Sequence, residues 1–167
     1  MDVLNGSVAD PAAAAALVSS TLPQQVSSTP AADELIARLT AKYGPVMFHQ
    51  SGGCCDGSSP MCYPQGEFLT GDSDVLLGTV GAPTAARVPH SSRSDGWGSD
   101  NAATTGAPFY ISRPQFEYWK HTHLILDVVP GRGGMFSLDN SEGVRFLIRS
   151  RIFTDDEIAA LRAANRI

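Results

Sequence analysis

Short hydrophobic runs bounded by glycine, proline and polar turn residues most limit what this chain can fold into. In THLILDVV, residues 122–129, Leu124, Leu126 and Val128 alternate with more polar neighbours, which is the pattern of a strand with one buried face. Other short hydrophobic runs beside glycine, proline or polar turn residues are further strand candidates: VMFHQ at 46–50, DVLLGTV at 74–80, PFYIS at 108–112, MFSL at 135–138 and GVRFLIRS at 143–150. The chain is therefore expected to build a sheet from short strands.

Helix signals lie at both ends of this strand-rich region. Thr29 and Pro30 form an N-cap followed by proline at the first helical position, and hydrophobic residues then recur at helical spacing, which predicts a helix over about 31–43. Near the C-terminus, Thr154 and Glu157 have the spacing of a capping box. Together with a short helical turn after the PFYIS strand, these signals predict an α+β fold, a small antiparallel or mixed sheet flanked by N- and C-terminal helices.

Composition sets the domain boundaries. The 167 residues are 43% hydrophobic, enough for one domain with a real core. Residues 1–30 are rich in Ala, Ser, Thr, Pro and Gln without a sustained period, so we expect a disordered leader followed by a single domain at 31–167. Residues 81–107 are polar, rich in small residues and aperiodic, which predicts a flexible surface insertion.

The charge pattern excludes several classes of partner. The formal net charge is −5, and the few Lys and Arg residues are dispersed, so no basic stripe is available for nucleic acid. No apolar run approaches the roughly 18 residues that a membrane-spanning helix needs. The alanine-rich run near the N-terminus is not preceded by basic residues, unlike a secretory signal, so we expect a cytoplasmic protein.

All three cysteines lie in one segment, SGGCCDGSSPMC at residues 51–62, which we call the cysteine loop. In a reducing cytosol, clustered cysteines more often bind metal or perform redox chemistry than form structural disulfides. Thiolates are good ligands for iron and zinc, whose sites usually need three or four such donors. We therefore predict a metal site formed by Cys54, Cys55 and Cys62, with His49 at the end of the preceding strand as the nearest fourth ligand.

His121 and His123 are further metal-ligand candidates. Two positions apart on a strand, they would project from the same face and could present two imidazoles to one metal. They can equally be ordinary polar residues at the entry of a strand.

Other functions of the cysteine loop stay open. Cys54 or Cys55 could be a low-pKa nucleophile toward aldehydes or disulfides, its pKa lowered by His49 or by backbone N–H groups of the loop. The cysteines could also only shape the loop of a module that binds a partner. The sequence contains no nucleophile elbow, P-loop, dinucleotide fingerprint or HExxH motif, so whether the chain is an enzyme stays undecided.

Four stretches resemble a bacterial family catalogued as domain of unknown function 779, often encoded beside aldehyde or alcohol dehydrogenases. They are GPVMFHQSGGCCDGSSPMCYP, GDSDVLLG, FYISRPQFEYWKHTHLILDVVPGRGGMFSL and EGVRFLIRSRIFT, and they cover residues 44–154 except the insertion. The resemblance implies an accessory role near aldehyde oxidation, with a dehydrogenase as partner. An aldehyde dehydrogenase label would follow only from that association, since the chain shows no such catalytic arrangement.

The order of these segments is also similar to that of the HesB-like A-type iron–sulfur carriers. Cys54 matches the first cysteine of their pattern, and the likeness implies an iron–sulfur cluster or a bound metal ion. Those carriers place two further cysteines in a C-terminal C-G-C motif, where this chain reads GVRFLIRSRIFT. Cys55 and Cys62 would have to replace them from within the cysteine loop.

Overall fold

The computed structural model describes residues 22–53, 55–81 and 106–167. Four consecutive strands follow the first helix, and a 3-10 helix precedes the last strand. In chain order the elements are β1 (Val26–Ser28), α1 (Pro30–Tyr43), β2 (Val46–Gln50), β3 (Met61–Pro64), β4 (Asp74–Val80), β5 (Ala107–Ser112), α2 (Arg113–Trp119), β6 (Thr122–Pro130), the 3-10 helix (Leu138–Glu142), β7 (Val144–Ile152) and α3 (Asp155–Ala163).

The strands form two mixed sheets. One has the order β1-β6-β7, and the other has the order β3-β2-β5-β4. The β1–β6 and β2–β5 pairs are parallel, whereas β6–β7, β2–β3 and β4–β5 are antiparallel. The α+β prediction, with a mixed sheet and helices near both ends, is confirmed.

Three phenylalanines mark the core between the sheets. Phe48 and Phe109 come from the four-stranded sheet and stack with ring centroids 5.9 Å apart. Phe146 of β7 meets Phe48 edge-on at 4.8 Å. All three side chains are fully buried, so aromatic packing joins the two sheets across one hydrophobic core.

Hydrogen bonds also link the sheets at their edges. Ile148 of β7 exchanges backbone hydrogen bonds with the cysteine loop: its carbonyl accepts from Gly57 N–H at 2.7 Å, and its N–H donates to the Ser58 carbonyl at 2.8 Å. At the opposite side, Gly81 N–H donates to Ser28 Oγ at 2.9 Å. The cysteine loop therefore pairs with the outer edge of β7.

The helix termini follow the sequence signals. The Thr29 side chain accepts a hydrogen bond from Ala32 N–H, and Pro30 opens α1 as predicted. At α3, Thr154 and Glu157 form both bonds of the capping box, which confirms that prediction. No helix within the described ranges is long and apolar enough to cross a membrane.

Two local expectations were wrong. Residues 26–28, assigned to the leader, form β1, because their backbone pairs with β6 in register from Val26 opposite Leu124 to Ser28 opposite Leu126. The MFSL strand does not form: Met135 and Phe136 are exposed in a turn, and the 3-10 helix begins at Leu138. Most of the leader (1–21) and of the insertion (82–105) lies outside the described residues.

Candidate functional site

Hydrogen bonds fix the cysteine loop before and after its two adjacent cysteines, Cys54 and Cys55. Before them, the Gly53 carbonyl accepts from Trp119 Nε1 at 3.4 Å, and the buried Gln50 amide donates to the carbonyls of Gly52 and Gly53. After them, Arg145 donates to the Gly57 carbonyl at 3.3 Å, beside the backbone bonds from the loop to Ile148. The loop is thus tied to α2 and β7 despite its glycine- and serine-rich composition.

The Cys55 thiol lies on the exposed surface of this loop. Ser58 closes a turn around it, because its N–H and its hydroxyl both donate to the Cys55 carbonyl, at 3.2 and 2.6 Å. The Ser58 Oγ lies 4.0 Å from Cys55 Sγ. Cys54, the adjacent candidate, lies outside the described residues.

The Cys62 side chain points into the core. Cys62 lies on β3 opposite Phe48 of β2, and directly paired residues of antiparallel strands share a face of the sheet. It is completely buried, as Phe48 is. His49 is the next residue along β2 and pairs with Met61, so it faces the opposite side of the sheet from Cys62.

Two buried polar side chains, Ser137 and Asp139, lie next to the Cys62 backbone. The Cys62 N–H donates to Ser137 Oγ at 2.8 Å, and the Ser137 hydroxyl donates to the carboxylate of Asp139, which also accepts from Phe146 N–H at 3.1 Å. Burial, and then the negative charge of Asp139, raise the pKa of the Cys62 thiol far above its usual range. Cys62 is therefore a protonated core thiol at neutral pH.

Both ring nitrogens of His49 are hydrogen-bonded. Nδ1 lies 2.6 Å from Ser51 Oγ, and Nε2 lies 2.7 Å from Asp74 Oδ1. The ring is 3% exposed and packs against Phe68, with centroids 4.3 Å apart. The hydrogen bond from His49, together with that from Gly71 N–H, lowers the pKa of the Asp74 carboxyl.

His121 and His123 have different surroundings. His121 precedes β6 and is exposed in a turn. His123 lies within β6 and is buried, with Nδ1 2.6 Å from the Gln24 carbonyl and Nε2 2.7 Å from Ser27 Oγ. Because Ser27 belongs to β1, His123 ties β1 to β6 in the three-stranded sheet, whereas His49 and Cys62 belong to the four-stranded sheet.

No three His, Cys, Asp or Glu side chains gather as a possible metal-binding group anywhere in residues 22–53, 55–81 and 106–167. The metal site that includes Cys54 stays a prediction from the sequence. Sequence reasoning missed Ser51 and Asp74 beside His49. Asp74 is distant along the chain, and only the β2-β5-β4 order of the sheet brings it to the histidine.

A family model described as a domain of unknown function (DUF779) matches residues 35–152. This match covers more than half of the chain, and the chain belongs to that family. No curated protein and no solved structure matches the chain. The likeness to HesB-like carriers and the association with dehydrogenases stay predictions from the sequence.

Proposed function

We propose that this member of the DUF779 family is a thiol protein that forms a reversible adduct with an aldehyde through Cys55, with Cys54 beside it in the chain. The observation that carries the proposal is the contrast between two thiols of one short loop: Cys55 is exposed, and Cys62 is buried. A thiol must meet solvent to react with a soluble electrophile, and Cys55 does.

Anchoring of the cysteine loop supports the same function. A reactive group gains from a fixed approach direction, and the bonds to Trp119 and Ile148 hold the loop on either side of Cys55. The hydrogen bonds that the Ser58 N–H and hydroxyl donate to the Cys55 carbonyl also fix the backbone that carries the thiol.

The reaction needs no oxidant. The Cys55 thiolate donates an electron pair to the carbonyl carbon of the aldehyde and forms a carbon–sulfur bond. The carbonyl π electrons move to oxygen, which takes a proton from water, and a hemithioacetal results. If the chain serves an aldehyde or alcohol dehydrogenase, that aldehyde is the dehydrogenase's substrate or product.

Metal binding is the competing function. Of the predicted ligands, Cys62 faces the core and both nitrogens of His49 already have partners. Cys54 and Cys55 would then provide the protein's thiolates for iron, zinc or a cluster. We favour the aldehyde adduct because one exposed thiol suffices for it.

Alkylation kinetics with iodoacetamide, combined with elemental analysis of protein purified without oxygen, test the proposal. The wild type is compared with Cys54→Ser, Cys55→Ser and the control Cys62→Ala. We expect metal-free protein in which Cys55 reacts rapidly, and we expect acetaldehyde to slow that alkylation. Cys55→Ser should lose the aldehyde-sensitive reaction, whereas Cys62→Ala should keep it.

Two results would contradict the proposal. Stoichiometric metal in the wild type that disappears in Cys55→Ser would establish the competing metal function instead. Alkylation of Cys55 that is insensitive to a large excess of acetaldehyde would exclude the adduct.

A further inference from the structure

Ser51, His49 and Asp74 form a continuous hydrogen-bonded chain that the thiol function does not use. Ser51 Oγ lies 2.6 Å from His49 Nδ1, and Asp74 Oδ1 lies 2.7 Å from His49 Nε2. Ser51 follows His49 by two positions at the end of β2, and Asp74 begins β4. A hydroxyl, an imidazole and a carboxylate are thus aligned in the order used by serine hydrolases, with the two ring nitrogens exchanged.

Hydrogen-bond chemistry fixes the roles in this chain. An ionised carboxylate only accepts hydrogen bonds, so His49 Nε2 carries the ring proton and donates a hydrogen bond to Asp74. In the neutral ring, Nδ1 then has the lone pair and accepts from the Ser51 hydroxyl. Asp74 also accepts from Gly71 N–H at 2.9 Å through its other oxygen, which holds the carboxylate in place.

Burial separates the base from the nucleophile. The His49 ring is 3% exposed beneath Phe68, whereas Ser51 is exposed. The next residue, Gly52, has open space around it, because a Cβ placed there would meet no atom within 4 Å. A small substrate could therefore reach Ser51 Oγ from solvent while the histidine stays shielded from water.

We propose that Ser51, His49 and Asp74 are a second reactive site, a hydrolytic relay for small acyl esters. Ser51 Oγ attacks the carbonyl carbon and forms a carbon–oxygen bond while its proton passes to His49 Nδ1. The tetrahedral adduct collapses, the bond to the leaving alkoxide breaks, and the alkoxide takes that proton. Water then attacks the acyl group by the same route, which releases the carboxylic acid and restores the Ser51 hydroxyl.

Asp74 acts through His49 and is a positioning residue. It holds the ring in the tautomer that leaves Nδ1 free to accept the Ser51 proton. Replacing it with asparagine should lower the rate of the chemical step without changing substrate binding.

Labelling of the full chain with a fluorophosphonate, followed by peptide mass mapping, is the first test. We expect one adduct, on Ser51, and none in Ser51→Ala. Ser73→Ala is the matched control, since Ser73 is also exposed and precedes Asp74, while the two ring nitrogens of His49 bond Ser51 and Asp74. Thermal melting should show that both alanine variants stay folded.

Hydrolysis of p-nitrophenyl acetate is the second test. A positioned general base contributes about 100-fold or more, so Ser51→Ala should lose at least that factor in kcat/KM, and Ser73→Ala should lose none. Asp74→Asn should lower kcat at least tenfold with KM unchanged. Two results would overturn the relay and leave the thiol function standing. One is a fluorophosphonate adduct on Cys55 but not on Ser51, and the other is hydrolysis of p-nitrophenyl acetate at the wild-type rate by folded Ser51→Ala.

Discussion

Cys62 should be strongly protected from thiol reagents in the folded protein. The comparison uses two variants with one cysteine each: Cys54→Ser with Cys55→Ser, which keeps Cys62, and Cys54→Ser with Cys62→Ala, which keeps Cys55. Cys62 is completely buried, so a reagent reaches it only when the domain opens. Domain stabilities start at about 5 kcal/mol. If opening costs that much, Cys62 is accessible in about one of every several thousand molecules at any moment.

The expected ratio of rates follows from that fraction. At neutral pH, the Cys62 thiol should react with dithionitrobenzoate about 10³-fold more slowly than Cys55, and its raised pKa slows it further. In concentrated guanidinium chloride the two thiols should react at similar rates, which controls for reagent and sequence effects. If Cys62 in the folded protein reacted at a rate within about tenfold of that of Cys55, its placement in the core would be refuted. Cys62 would then again be an accessible candidate metal ligand.

Two further predictions concern the fold that carries the loop. Phe48→Ala should lower the free energy of unfolding by about 3–5 kcal/mol, because Phe48 is fully buried against Phe109 and Phe146. Urea titration measures this free energy. The control Phe136→Ala, at a 75% exposed position, should change the free energy of unfolding by less than about 0.5 kcal/mol. Asp127→Asn should make stability less sensitive to acid. The hydrogen bond from Arg149, followed by those from Val128 N–H and Thr29, lowers the pKa of the Asp127 carboxyl, so its stabilising effect is present above the unfolded pKa near 4 and lost as pH falls through the folded pKa. Urea midpoints of wild type and variant should therefore converge toward acid pH, and a constant difference would contradict this account.

Local signals predicted the longer elements well. α1 and α3 begin at Thr29-Pro30 and at the Thr154 capping box because the capping atoms lie within a few residues of the groups they satisfy. β6 follows the alternation of Leu124, Leu126 and Val128. These features depend on neighbours in sequence, so the sequence contains the information needed to find them.

The short strands could not be found in this way. β1 has three residues and β3 has four, too few for a period to be recognised. β1 exists because its backbone pairs with the distant β6, and β3 exists because its backbone pairs with β2 across the cysteine loop. From the sequence, residues 51–62 are therefore predicted to form one loop, although Met61 and Cys62 belong to β3. Without β3, the alternation that sends Cys62 and His49 to opposite faces could not be applied.

The sequence by itself determined the α+β class, the positions of the capped helices and the concentration of every thiol in one segment. Tertiary structure decided what those residues can do: pairing of β3 with β2 buries Cys62, the edge of β7 holds the loop with Cys55 exposed, and the order β2-β5-β4 brings Asp74 to His49. The physical reason is that strand register and sheet order assign each side chain its face and its partners, and both depend on residues far apart in the chain.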